Sequence, residues 1–181
     1  IGGGFIGLEM AENLAELGIK TTIVQRSNHL LPTVDCDIAS FIHANFRHHG
    51  VQLLLNTNTN KMSITGAQVS LDLDNGSNIS ADMVVLAVGV TPENTLAKKI
   101  GLELGVKGAI KVNAKMETSI PDIYAVGDAV QVKHFITDKD SVISLAGPAN
   151  KQGRIVADNI CGIDSEYKGS QGSSVIKLFD M

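Results

Sequence analysis

Six residues near the start of the chain, Gly2-Gly3-Gly4-Phe5-Ile6-Gly7, restrict its fold more than any other stretch. They fit the spacing GxGxxG, and the residues after them have the pattern of a helix: Ile6, Met10, Leu14 and Leu17 fall on one stripe, and Gly18 closes it. Thr21 to Val24 then reads as a strand. Glycine loop, helix and strand in that order form the later part of a nucleotide-binding βαβ unit, with Ile1 alone standing for the first strand. Ile1 and Phe179-Asp180-Met181 both stop inside what reads as a strand, so the expectation is a piece of a longer protein.

Further along, Asp35 and Asp37 precede a stripe of Ile38, Phe41, Ile42 and Phe46 that stops at Gly50, which predicts a second helix of favourable dipole polarity. A strand over 51–55 comes next. Between Met62 and Ile79 the period changes to two, with Val69, Leu71 and Leu73 on one face and a turn at Asn75-Gly76, the pattern of an antiparallel meander. Met83 to Val88 is unbroken apolar sequence and predicts a strand covered on both faces. Gly89 ends it, and a domain boundary is expected near Thr91. Beyond lie a short helix at 94–100, strands at 109–112 and 123–126, and a helix at 148–160 with Pro148 in its first turn and Gly162 past its end. Ser165 to Ser174 has linker composition, and Val175 to Phe179 reads as a strand. The fold class expected is α/β.

The formal net charge of −4 is spread without long runs, which argues against a nucleic-acid surface. No apolar run approaches the roughly 20 residues of a membrane span, so neither nucleic acid nor membrane is an expected partner, and a cytoplasmic location is expected. The two cysteines, Cys36 and Cys161, are far apart and form no CxxC pair, as suits a reducing compartment. His43, His48 and His49 invite a metal reading, but His43 and His48 fall on different helix faces, and no metal is expected.

In a loop of this kind Gly2 permits the tight turn, Gly4 lets a pyrophosphate meet the backbone, and Gly7 lets helix and strand pack closely, with Phe5 and Ile6 opening the helix. At the end of the next strand, where a carboxylate commonly meets the ribose 2′-hydroxyl, the chain has Gln25 and Arg26. Glutamine does not repel a 2′-phosphate and arginine pairs with one, which favours dual or NADPH use; a solvated Arg26 is the other reading. From its position in the sequence alone, Glu9 is explained by the helix dipole.

Thr118-Ser-Ile-Pro-Asp-Ile-Tyr-Ala-Val-Gly-Asp-Ala129 runs an apolar strand into Gly127 and a carboxylate, Asp128. Downstream stands Leu145-Ala-Gly-Pro-Ala-Asn-Lys-Gln-Gly-Arg154. With the glycine loop, these segments resemble the pyridine nucleotide-disulfide oxidoreductases, in the branch of coenzyme A-disulfide reductases and NADH oxidases and peroxidases. The resemblance implies a Rossmann-like NAD(P)-binding domain with a β-meander over 1–91 and the C-terminal part of an FAD-binding domain over 92–163. Residues 164–181 would be a linker and the start of a dimerisation domain. It implies FAD and NAD(P)H as cofactors, and a homodimer. The acceptor would be a disulfide such as coenzyme A disulfide, or oxygen species. Asp128 would bond the ribityl and phosphate region of FAD, with Gly127 admitting the ligand, and Ala146, Gly147 and Pro148 would start a helix aimed at the flavin ring. Gly89 would border the dinucleotide, and Glu9 would position the nicotinamide. Neither Cys36 nor Cys161 matches the family's redox cysteine, which would lie outside this chain, so both thiols are expected to be inert and the chain alone inactive. A non-catalytic dinucleotide-binding module is the reading from another class.

Overall fold

The computed structural model describes residues 1–181, which form two compact α/β units: Ile1–Gly89 with Ile176–Met181, and Val90–Val175. In the first unit, α1 (Phe5–Glu16) leads to β1 (Thr22–Val24), then α2 (Cys36–His48) and β2 (Gln52–Leu54). The two strands pair in parallel from Thr22 opposite Gln52 to Val24 opposite Leu54. Asp37 in the first turn of α2 and Arg47 and His48 in its last complement the helix dipole.

The face α1 buries differs from the sequence expectation. Leu8, Ala11 and Glu12 are buried, whereas Ile6 is 58% and Leu17 76% exposed. Two apolar stripes compete on this helix, and the one carrying alanines faces the core. In α2, Ile42 and Phe46 are buried as their spacing predicts, but Ile38 and Phe41 are exposed and Ala39 takes the inward place. The core also gathers Ile23, Leu30, Val51, Leu178 and Phe179.

The meander forms as β3 (Thr59–Thr65), β4 (Gln68–Leu73) and β5 (Asn78–Ala81), paired in that order and antiparallel. Gly76 at φ 82 sits in the tight turn, and Leu71 and Leu73 point into a small core with Val24. Met83 to Val88, expected as a covered strand, forms no ladder, and Met83, Leu86 and Val88 are exposed. Its backbone is matched by Ile1 alone, whose amino group donates to the Val85 carbonyl and whose carbonyl accepts from the Ala87 N–H.

The second unit holds α3 (Thr95–Lys99), β6 (Ile110–Lys111), β7 (Val130–Lys133), β8 (Asp140–Ser141) and α4 (Ala146–Ile160). β7 is central, parallel to β6 and antiparallel to β8. Met116, Val130, Val132, Ile155 and Tyr167 form its core. Residues 123–126 are not a strand: Met116 and Asp122 adopt positive φ, the chain turns, and a lone bridge between Glu117 and Tyr124 is what remains of a ladder. α4 begins two residues earlier than expected, so Pro148 is its third residue, where no intrahelical N–H bond is lost.

The stretch 164–181, read from sequence as a linker and the opening of a further domain, divides between the units. Residues 164–175 belong to the second, whereas Ile176–Met181 return to the first because Leu178 and Phe179 are large and apolar and fill its core. Phe179, at φ 55, ends in a turn rather than a strand.

Candidate functional site

The glycine loop divides its residues between those sealed against protein and one left open. At Gly2, φ is +103 and an added Cβ would lie 2.3 Å from the Ala87 carbonyl oxygen; at Gly7 it would lie 1.9 Å from the Gly2 oxygen. Both contacts are with backbone, which cannot yield. Gly4, the residue before α1, has nothing within 4 Å of where its Cβ would be. The N–H groups of Phe5, Ile6 and Gly7 open α1 without intrahelical acceptors, so this face presents donors and the positive helix end to an anion. Phe5 is half-buried against the core and Ile6 is exposed.

Gly3, a position whose importance the motif pattern does not reveal, is held on both sides. Its N–H donates to Gln25 Oε1 at 3.1 Å and its carbonyl accepts the Leu31 N–H at 2.6 Å. Gln25 is therefore turned inward, 6% exposed, with its amide nitrogen donating to Ser27 Oγ. Arg26 is exposed and makes no ion pair. Glu9 is also exposed, and as the fifth residue of α1 it stands beyond the first turn, which removes the dipole explanation for it. Gly89 is exposed at φ +111. A cavity of about 460 Å³ reaches Gly2 and Gly7 but is lined mostly by apolar groups such as Met10, Leu14 and Leu71, and it includes neither Gly4 nor Arg26. It is not the space the donors face.

In the second unit Gly127 adopts φ +79, and its Cβ position is open except for Ala149 Cβ at 3.9 Å. Its N–H donates to Gln152 Oε1 at 2.7 Å. Gln152 is 1% exposed, so α4 fastens the aspartate turn through a buried amide that sequence alone would place in solvent. Asp128 is next along the chain, with an exposed carboxylate, and Ala146 and Gly147 expose the first turn of α4 with Pro148 half-buried behind them.

The histidines do not converge. His43 bonds the loop backbone, while His49 stacks on Phe179 with ring centroids 3.9 Å apart. No group of three or more His, Cys, Asp or Glu side chains is arranged to hold a metal, and no helix is long and apolar enough to cross a membrane. Cys36 and Cys161 are unpaired and exposed.

A glycine loop braced from behind and open in front, on a parallel α/β scaffold, defines a dinucleotide-binding protein. The family model for pyridine nucleotide-disulphide oxidoreductases matches residues 1–153, and the chain belongs to this family of redox enzymes. An NAD(P)H sulfur oxidoreductase (CoA-dependent) of Pyrococcus furiosus is 38% identical over 183 residues, covering 100% of this chain and 41% of that protein. A coenzyme A disulfide reductase of Staphylococcus aureus is 33% identical over 181 residues, covering 99% and 40%. The structure of reduced Bacillus anthracis CoADR-RHD superposes with a TM-score of 0.94 at 49% identity, over 99% of this chain and 32% of that one. The chain thus spans about 40% of the length of these curated relatives. A Desulfovibrio vulgaris structure described as an FAD-dependent pyridine nucleotide-disulphide oxidoreductase superposes with a TM-score of 0.93 at 36% identity, over 99% of this chain and 46% of that one.

Proposed function

We propose that this chain carries the NAD(P)H-binding part, and a share of the FAD-binding part, of a coenzyme A-disulfide reductase. The observation that carries the reading is the loop, where Gly2 and Gly7 have no room for a side chain and Gly4 has room that a pyrophosphate would fill. There the N–H groups of the first turn of α1 would hold the phosphates. With Gln25 turned inward and Arg26 exposed, Arg26 would be the side chain to meet a 2′-phosphate, which favours acceptance of NADPH alongside NADH. In the second unit the exposed Asp128 carboxylate would accept hydrogen bonds from sugar hydroxyls. The N–H groups of Ala146 and Gly147 would face the negative charge of a reduced isoalloxazine ring.

Both sets of residues fit their groups. Bound together in the intact enzyme, nicotinamide and flavin supply hydride transfer and onward two-electron reduction. The reduction of a disulfide by a cysteine outside these residues, a homodimeric assembly and a cytoplasmic location belong to the same reading. The relatives named for coenzyme A support the choice of acceptor. Glu9, exposed on α1, is assigned to positioning the nicotinamide.

The test is titration of the purified chain with NADH and NADPH, monitored by nucleotide fluorescence, together with visible spectra in the presence of FAD. Saturable binding of both nucleotides is expected, without bleaching of flavin absorbance by NADH. Absence of nucleotide binding would overturn the reading, and bleaching would show that the chain turns over alone.

A further inference from the structure

His43 lies on α2, outside the glycine loop, yet a series of peptide planes connects it to the loop's open donor. Its Nε2 accepts the Leu30 N–H at 3.0 Å. The carbonyl of the same peptide, that of His29, accepts from Ser27 Oγ at 3.1 Å. The next peptide is held as well, because His29 Nδ1 donates to the Leu30 carbonyl at 2.9 Å while the Leu31 N–H donates to the Gly3 carbonyl at 2.6 Å. Leu30, whose side chain is fully buried, lies against Gly3 so closely that a Cβ there would meet its Cδ2 at 2.6 Å. Leu31 keeps a positive φ of 48, a conformation that persists only where surrounding contacts enforce it.

The final link is the Gly3–Gly4 peptide. All peptides here are trans, so a carbonyl fixed on one side of the plane fixes the N–H on the other. The Gly4 N–H has no acceptor within the protein and lies next to the open space in front of the loop. We propose that His43 is a positioning residue for dinucleotide recognition: as a neutral acceptor it sets Leu30 and Leu31, and through them the direction of the Gly4 N–H. This rests on the reading of the first unit as a dinucleotide site.

Only one of the two imidazoles makes the arrangement sensitive to protons. His29 keeps its Nδ1–H whether neutral or charged and goes on donating to Leu30. His43 loses its acceptor lone pair when protonated. The charged and titratable groups that act on it are Arg47 from its own helix and His29 from the packed loop, and no carboxylate is among them. Burial first, then Arg47 and His29, holds its pKa below the ordinary 6.5. A histidine depressed in the folded state contributes stability that is present above 6.5 and is lost as pH falls toward the folded value. Dinucleotide affinity weakens as pH falls through that folded value, because the brace then loses its acceptor.

The experiment compares the wild-type chain with His43→Gln and His43→Leu by calorimetric titration with NAD⁺ between pH 7.5 and 5.0. Glutamine offers a non-titrating acceptor to the Leu30 N–H, and leucine offers none. Wild type should bind about fivefold more weakly at the acid end, the worth of one hydrogen bond. His43→Gln should stay tight throughout, and His43→Leu should be about fivefold weaker at pH 7.5 with a flat profile. The proposal fails if His43→Gln shows the wild-type pH profile or if His43→Leu binds normally at pH 7.5. Should the leucine variant not fold, the wild-type and glutamine profiles decide alone. Nitrogen NMR of the imidazole gives a readout independent of ligand: Nε2 of His43 must be the unprotonated nitrogen at pH 7.5, and a protonated Nε2 overturns the proposal. Failure of wild type to bind NAD⁺ at pH 7.5 would instead overturn the function reading and this proposal with it.

Discussion

Replacing Gly4 by alanine separates folding from recognition. Gly4 has φ −86 and ψ −175, a conformation alanine adopts without strain, and no atom lies within 4 Å of the new methyl group. Reduced freedom of the unfolded chain favours alanine by about 0.4–1 kcal/mol. Alanine is a poorer N-cap than glycine by a comparable amount, so the net change in stability should stay within about 0.5 kcal/mol. The methyl group nevertheless occupies the space through which a pyrophosphate would reach the backbone donors. Loss of one charge-assisted hydrogen bond, about 1.5–3 kcal/mol, weakens the dissociation constant by roughly 10- to 100-fold. Gly2→Ala is the control with the opposite profile: at φ +103, with a Cβ 2.3 Å from the Ala87 oxygen, it should destabilise the first unit by about 2–3 kcal/mol. Thermal unfolding and fluorescence titration with NADH measure both quantities. Undiminished NADH binding by Gly4→Ala would refute the assignment of the open face, and a destabilisation equal to that of Gly2→Ala would refute the geometry.

Three further outcomes are expected. Gln152→Met keeps the volume of the side chain but removes the acceptor of the Gly127 N–H, and calorimetry should show the second unit destabilised by about 1–2 kcal/mol. Glu12→Ala strands the buried Phe179 N–H, which now donates to Glu12 Oε1 at 2.6 Å; a loss of about 1–3 kcal/mol is expected, with faster amide exchange at Phe179 and Glu12→Gln milder. Arg26→Ala should raise the dissociation constant for NADPH about tenfold and leave that for NADH within about twofold, since on the proposed reading the guanidinium would meet only the 2′-phosphate. Equal effects on the two nucleotides would return Arg26 to the role of a solvated surface residue.

Much of the loop was legible in the sequence because steric rules leave glycine few substitutes: Gly2 and Gly7 lie against backbone and Gly4 against nothing. The meander was legible from its alternation and its Asn75-Gly76 turn. The inward face of α1 was not, because a stripe of larger residues outweighed Leu8 and Ala11 in any count of hydrophobicity, although close approach of a helix to a strand favours the small side chain. Glu12, Gln25 and Gln152 share a different difficulty. A polar residue in a helix or at a strand end reads as solvated, and its burial becomes visible only when a backbone N–H from a distant segment arrives to bond it. Residues 83–88 and 123–126 failed as strands for the converse reason: apolar composition supports a strand only where a neighbouring backbone continues the ladder.

The return of Ile176–Met181 to the first unit has a consequence for the order of synthesis. Glu12 and Phe179 are 167 residues apart, and all of the second unit is encoded between them. On a ribosome Val90–Val175 are all made before the first unit receives Leu178 and Phe179. Until they emerge, the hollow against Phe46 stands empty and apolar surface is open to the wrong partners. The first unit, begun before the second, is thus completed only after Val90–Val175 have been made.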